Sequence, residues 1–273
     1  MSKIIRVICL AAAIPASIYI GILALLYMNQ RAIQYHPDPR DPSAAEFGLP
    51  DFAKVFTRTA DGENLAGWWK APPPGAALVL YFGGSGGNLS YRRDRLQDLV
   101  DAGFGVLGFD YRGFGGSSGA PSEGGLHEDA RAALRYAADH APGSPVILFG
   151  ESLGTGVAVA LASEVRVAGL ILDSPYASVV GVAQYQYPWV PVRFLLKDSW
   201  NSESRIARVA APVFMLHCDA DEIVPAANGA FLFARAKEPK SRLVLEGCGH
   251  TDIWRGAARQ KILDTIRAWT APS

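Results

Sequence analysis

Leu148-Phe-Gly-Glu-Ser-Leu-Gly154 carries the pattern G-x-S-x-G on Gly150, Ser152 and Gly154. Pro145-Val-Ile-Leu-Phe149 reads as a short buried strand leading into it, and Thr155-Gly-Val-Ala-Val-Ala-Leu-Ala162 as a small-residue helix leading out. A sharp strand-to-helix turn holds its central residue in a strained backbone conformation, and glycines two before and two after let neighbouring strand and helix approach. Such a turn lifts the Ser152 hydroxyl off the sheet edge. It also sets the Leu153 N–H at a helix N-terminus, where it can stabilise a developing oxyanion. The bare pattern is common; a strand and a helix in these places make it specific.

Strand and helix patterns alternate outward from this point. Upstream, strands at 54–59 and 65–69 flank the turn Ala60-Asp-Gly62 as a hairpin, followed by a strand at 77–82, a helix at 92–102, a strand at 105–109 and a helix at 127–140. Downstream come strands at 167–172 and 212–217, a helix at 227–236, a strand at 242–245 and a closing helix at 255–269. Continuous apolar strands alternating with helices place the chain in the α/β class, with a buried, mostly parallel sheet covered on both faces. The one long interruption, about 174–210, holds Gln184-Tyr-Gln-Tyr-Pro-Trp189 and Val190-Pro-Val-Arg-Phe-Leu-Leu196. It reads either as a short lid over an apolar pocket, with Tyr176, Tyr187 and Trp189 as candidate substrate-binding residues, or as a helix packed on the sheet.

A serine hydroxyl is a weak nucleophile at neutral pH and needs a base in hydrogen-bond reach, oriented by an acid. With a turn of this kind the chain order is Ser, acid, His. His250, in Glu246-Gly-Cys-Gly-His250, follows the last strand on a glycine-bearing loop. Of the other histidines, His36 falls among prolines, His127 and His140 flank a helix, and His217 ends a strand. The acid lies in His217-Cys-Asp-Ala-Asp-Glu-Ile-Val-Pro225, where Asp221 sits deepest, with Asp219 as the alternative and Glu222 facing solvent or capping the next helix. A second oxyanion amide is expected from Phe82-Gly-Gly-Ser-Gly-Gly-Asn88. That loop lacks the Lys-Ser/Thr ending of a phosphate cradle, and Gly103-Phe-Gly-Val-Leu-Gly108, which has dinucleotide-type spacing, opens a strand instead of a helix. No His/Cys/carboxylate cluster has metal-ligand spacing, so neither cofactor nor metal is expected.

Lys plus Arg number 26 against 26 Asp plus Glu, which leaves no electrostatic footprint for nucleic acid. Apolar character concentrates at the N-terminus, where no charge falls between Val7 and Gln30. That is long enough to cross a bilayer, which takes about 20 residues. It is also longer than the h-region of a cleaved signal, about 7–15 residues. The small residues Ala11-Ala-Ala13 lie inside the apolar run instead of after it. The reading is an uncleaved anchor over 1–30, with a cleaved signal as the alternative and Pro15 a point of kinking, a stiff Pro-rich linker over 31–50, and a catalytic domain over 51–273. Lys3 and Arg6 precede the span and Arg31 and Arg40 follow it, a slight bias toward a cytoplasmic N-terminus and an exported domain. The chain has 3 cysteines. Cys9 falls in the span; Cys218 and Cys248 read as two small buried residues, within bonding distance only if their strands are parallel neighbours.

Phe109-Asp-Tyr-Arg-Gly-Phe-Gly-Gly-Ser-Ser-Gly119, Pro121-Ser-Glu123, Gly150-Glu-Ser-Leu-Gly154, Leu172-Asp-Ser-Pro-Tyr176 and Asp221-Glu-Ile-Val-Pro225 together resemble the α/β-hydrolase superfamily. More narrowly, they resemble its membrane-anchored serine hydrolases, the group of the bud-emergence-type proteins and protein depalmitoylases. The likeness runs from about Tyr35 to the C-terminus. It implies a sheet of about eight strands, a triad of Ser152, Asp221 and His250, and an oxyanion hole from the amides of Ser85 and Leu153. In that family Asp110-Tyr-Arg-Gly113 is mainly a structural loop, so Arg112 is given no catalytic role. Gly83-Gly84 departs from the family's usual His-Gly, and Cys218 replaces a usual Gly. The implied protein is a monomeric, membrane-anchored esterase or thioesterase acting on a small-molecule, lipid or acyl ester. A peptidase or amidase on the same residues, or an inactive tethered binding module, is the alternative.

Overall fold

The computed structural model describes residues 3–271, with side chains from Ala12 onward. Eight strands form the central sheet: β1 (Ala53–Arg58), β2 (Asn64–Lys70), β3 (Leu78–Phe82), β4 (Gly105–Phe109), β5 (Val146–Glu151), β6 (Gly169–Asp173), β7 (Val213–Cys218) and β8 (Lys240–Leu245). Their order across the sheet is β8-β7-β6-β5-β3-β4-β2-β1. Only the β1–β2 and β2–β4 pairings are antiparallel; β3 to β8 run parallel. The crossover between β3 and β5, with β4 displaced outward, puts the C-terminal ends of β5, β6, β7 and β8 along one sheet edge.

Strands β3, β4, β6 and β7 are buried along their whole length, as sheet strands covered on both faces must be. Helices α3 (Glu123–His140), α4 (Leu153–Ala162) and α8 (Ala226–Arg235) contribute to the core on one face. On the other, α2 (Arg93–Asp101) and α9 (Gly256–Thr270) cover a second core cluster. Between β6 and β7 lie the short helices α5 (Val179–Gln186), α6 (Val192–Leu195) and α7 (Glu203–Ile206). The aromatic interruption is therefore a helical excursion beside the sheet edge.

Helix α1 (Lys3–Gln34) runs past the expected end of the anchor, and its stretch Ala12–Gln34 is long and apolar enough to cross a membrane. The side chains of Lys3, Arg6 and Cys9 lie outside the described residues. The segment 31–50, expected as a stiff linker, and the end of α1 before it make specific contacts with the domain. Arg31 forms a two-point ion pair with the buried Asp198, and Gln30 accepts from the Lys197 N–H at 2.6 Å. Tyr35 is buried, and its hydroxyl accepts from the indole N–H of Trp200 at 3.1 Å. His36–Pro37 then pairs in parallel with Gly86–Gly87. Pro37 fits because the bridge uses the N–H groups of His36 and Asp38 and none from residue 37.

Trp200 has no exposed surface and joins three segments: its side chain meets Tyr35 and the His127 ring, and its backbone N–H donates to Glu123 at 2.8 Å. Truncating a large buried aromatic costs about 3–5 kcal/mol. Trp200→Ala is expected to lose stability in that range, measured by denaturant unfolding of the full chain in detergent. A loss under about 1 kcal/mol would remove Trp200 from this joining role.

Candidate active site

Ser152 stands between the end of β5 and the start of α4 with φ 50° and ψ −115°, the strained turn the sequence predicts. Space enforces the flanking glycines. A Cβ on Gly150 would strike the Gly154 carbonyl, and one on Gly154 would strike the Phe82 carbonyl at the end of β3. Three hydrogen bonds pin the turn: Ser152 N–H to the Asp173 carbonyl (2.9 Å), and the Thr155 N–H (2.9 Å) and hydroxyl (2.7 Å) to the Ser152 carbonyl.

The loops after β7 and β8 bring Asp221 and His250 to this serine. His250 Nε2 lies 2.8 Å from Ser152 Oγ, and His250 Nδ1 lies 2.7 Å from Asp221 Oδ2. A carboxylate only accepts, so Nδ1 carries the hydrogen toward Asp221 and Nε2 is free to accept from the serine hydroxyl. Burial pushes the Asp221 carboxyl up, but hydrogen bonds from His217, His250 and the Val224 N–H outweigh it and hold the group well below the usual carboxylate range. Asp221 Oδ1 also accepts from the Ile223 N–H at 2.9 Å. The alternatives fall elsewhere: Asp219 is exposed and accepts from the Gly247 N–H (2.8 Å), and Glu222 faces solvent.

Cys218 and Cys248 are disulfide-bonded, Cα atoms 5.3 Å apart. This corrects the reading of two unlinked buried residues. Cys218 sits opposite Leu245 in the β7–β8 register, so the strands carry the thiols together. The bond joins the base of the acid loop to the histidine loop.

Leu153 is the first residue of α4, so its N–H has no partner inside the helix. Ser85 faces the same cavity as Ser152, and its carbonyl accepts from the His36 N–H at 2.8 Å. With Gly83-Gly84 in place of His-Gly, the loop is braced by this bridge and by the Tyr111 hydroxyl, which donates to the Gly83 carbonyl at 2.9 Å.

A cavity of about 420 Å³ opens from Ser152, a size suited to small ligands. Tyr176 and Tyr187 line it, whereas Trp189 does not: it is half exposed and packs on Tyr19 of α1. Tyr176 also braces the turn, its hydroxyl donating to the Leu153 carbonyl at 3.1 Å. The opposite wall includes Leu26, Tyr27, Gln30 and Ile33 of α1, of which the sequence reading assigned the first three only to an anchor and Ile33 to the linker.

Sequence reasoning also passed over the charges beneath the serine. Arg92 holds Glu151 at two points (2.9 and 3.0 Å), Arg95 reaches it at 3.5 Å and pairs with Asp173, and the Tyr81 hydroxyl donates to it. Burial pushes the Glu151 carboxyl up, but the charges of Arg95 and Arg92 overcome this and bring it down to about 2. Arg112 pairs with Asp129 and Asp61. His217 was missed as well. It is buried, donates from Nε2 to the Val224 carbonyl at 2.7 Å, and lies 3.4 Å from Asp221 Oδ2.

The depressed folded value of Glu151 lies below the unfolded value of about 4.3. Its contribution is therefore present above that pH and is lost as the pH falls toward 2. Glu151→Gln is expected to cost about 3 kcal/mol at neutral pH, since it leaves buried arginine charge uncompensated. The variant should also lose less than the wild type between pH 4.5 and pH 2, as read from denaturant midpoints. Parallel pH curves would exclude this role.

The family profile described as alpha/beta hydrolase fold matches residues 77–199. Among known proteins, the chain is 40% identical to Mycobacterium tuberculosis Rv2307c over 244 residues, 88% of this chain and 87% of that protein. It is 30% identical to Salmonella typhimurium YfhR over 264 residues, covering 88% of each. It is 28% identical to Schizosaccharomyces pombe bem46, covering 88% and 87%. Among solved structures, the Pyrococcus furiosus esterase Pf2001 superposes with a TM-score of 0.71 at 19% identity, covering 86% of this chain and 100% of that one. Fold, sheet order and sequence likeness agree: the chain belongs to the α/β-hydrolase family, among relatives that include bem46 and YfhR.

Proposed function

We propose that the protein is a membrane-anchored serine hydrolase that cleaves carboxylic ester or thioester bonds. The observation that carries this reading is the unbroken Ser152–His250–Asp221 relay, 2.8 and 2.7 Å, opening onto an apolar cavity. Ser152 Oγ attacks the acyl carbon while its proton passes to His250 Nε2. The ionised Asp221 keeps Nδ1–H directed toward itself and balances the imidazolium charge. The amides of Leu153 and Ser85 receive the oxyanion, the first aided by the N-terminal end of α4. As the carbon–oxygen or carbon–sulfur bond breaks, His250 returns the proton to the leaving group. Water then repeats the cycle on the acyl-enzyme, releasing the acid and restoring the serine.

The length and apolarity of α1 support anchoring. The Cys218–Cys248 bond supports a catalytic domain on the exported side, since disulfides persist in oxidising compartments.

A fluorophosphonate probe should label the wild type and not Ser152→Ala. With p-nitrophenyl esters, kcat is expected to fall about 10⁶-fold in Ser152→Ala and about 10⁴-fold in Asp221→Asn. Equal labelling of wild type and Ser152→Ala, or no labelling of the folded wild type, would overturn the proposal.

A further inference from the structure

The cavity beside Ser152 has one wall that belongs to the apolar N-terminal helix. Its upper end is formed by Ser152, Ser85 and His36, the last of these two residues beyond the end of α1. From there the lining descends along α1 through Ile33 and Gln30 to Leu26. Gln34 to Leu26 is eight residues, about 12 Å along the axis. The facing wall comes from α5, α6 and the turn between them, through Val182, Leu195 and Tyr187.

Those facing helices follow α1 deeper still. The Tyr19 hydroxyl donates to the Trp189 carbonyl at 2.8 Å, and the two rings lie 6.4 Å apart. Tyr19 is 11 residues before Gln30, about 16 Å along the helix. A hydrocarbon core is about 30 Å thick, so when α1 spans it with Gln30 at the boundary, Tyr19 lies near the midplane and Trp189 beside it lies within the hydrocarbon. The composition of this segment suits that position. Val179–Leu196 contains one charged residue, Arg193, while Tyr185, Trp189 and Phe194 leave 66%, 51% and 83% of their surface uncovered. Arg193 and Lys197 are exposed, and long cationic side chains can reach toward the headgroup region. An apolar patch of this kind on a soluble surface would be a liability; against lipid it is matched.

We propose that the last two turns of α1 form the distal wall of the acyl-binding site. A single-chain glycerolipid ester then enters sideways from the leaflet, between α1 and α5–α6, without leaving the bilayer. This rests on the hydrolase reading above and adds the substrate class and its route. The depth relation selects the occupant. In a glycerolipid the ester carbonyl lies at the boundary of the hydrocarbon with its chain below, and here Ser152 lies level with the helix end with the apolar cavity below. The cavity volume of about 420 Å³ favours one chain over two. The reaction takes up one water: the acyl carbon–oxygen bond is cleaved, the fatty acid leaves after deacylation, and glycerol leaves with the proton from His250.

The test uses the full chain reconstituted in phosphatidylcholine vesicles, with release of palmitate from monopalmitoylglycerol compared against turnover of p-nitrophenyl butyrate. Each methylene buried is worth about 0.8 kcal/mol, about fourfold in rate at about 1.4 kcal/mol per decade, so occluding several acts strongly on the long chain. Leu26→Trp and Ile33→Trp should lower the palmitoyl-to-butyryl ratio at least tenfold. Met28→Trp, on an exposed helix position away from the cavity, should leave it unchanged. An unchanged ratio in both wall variants, with fluorophosphonate labelling retained, overturns the helix wall while leaving the hydrolase reading intact. Cleavage of an S-palmitoyl peptide but not of monopalmitoylglycerol overturns the lipid occupant. Absence of labelling in the wild type overturns the hydrolase reading itself. Depth is read independently of the wall variants: phosphatidylcholine brominated on its acyl chains should quench a component of the tryptophan emission that disappears in Trp189→Phe. No such component would place Trp189 outside the leaflet and overturn lateral entry.

Discussion

The constraint on which the site depends is the close approach of the Ser152 turn to the end of β3. Residue 152 lies at positive φ, and the chain on either side must pass within touching distance of Phe82 and of itself. Only glycine at 150 and 154 allows this. Much else follows from holding that turn in place. Asp173 supplies the carbonyl that fixes it, so β6 must lie beside β5. Thr155 and Tyr176 clasp it from the helix and from the loop after β6. The parallel order of β5 to β8 then delivers the acid and histidine loops to the same edge.

Polar and apolar requirements are separated around that turn. Below it, the buried charges of Glu151, Arg92, Arg95 and Asp173 satisfy one another and tie the loop after β3 to the elbow and to β6. Above it, the cavity is walled by aliphatic and aromatic side chains, and the relay through His250 crosses at the boundary. Leu153 and Ser85, whose amides are proposed to receive the oxyanion, thus line an apolar space, in which a few directed hydrogen bonds carry more weight than they would in water.

The juxtaposition of Ser152, His250 and Asp221 was legible because each follows a recognisable strand and the chain order restricts which carboxylate and which histidine can meet the serine. Asp221 was separable from Asp219 by the Ile223-Val224-Pro225 segment behind it, and the structure puts the backbone N–H groups of that segment on its second oxygen. What the sequence hid depends on direction and on partners remote in the chain. Nothing local distinguishes Tyr187, which faces the cavity, from Trp189, which faces α1. The Cys218–Cys248 bond depends on the β7–β8 register. The apolar run of α1 gave its length but not that its last turns would be a wall, because an amphipathic signal is faint when both lipid and pocket are apolar.

The bridge between His36–Pro37 and Gly86–Gly87 makes the N-terminal helix and the loop carrying Ser85 one mechanical unit. Excising the first fifty residues to obtain a soluble protein would do more than cut a tether. It would unpair the Ser85 carbonyl, empty the place of Tyr35 against Trp200, strand Asp198 without Arg31, and open one side of the cavity to solvent. The shortened chain would be a different catalyst, and its preferences would describe a site that the intact protein does not possess.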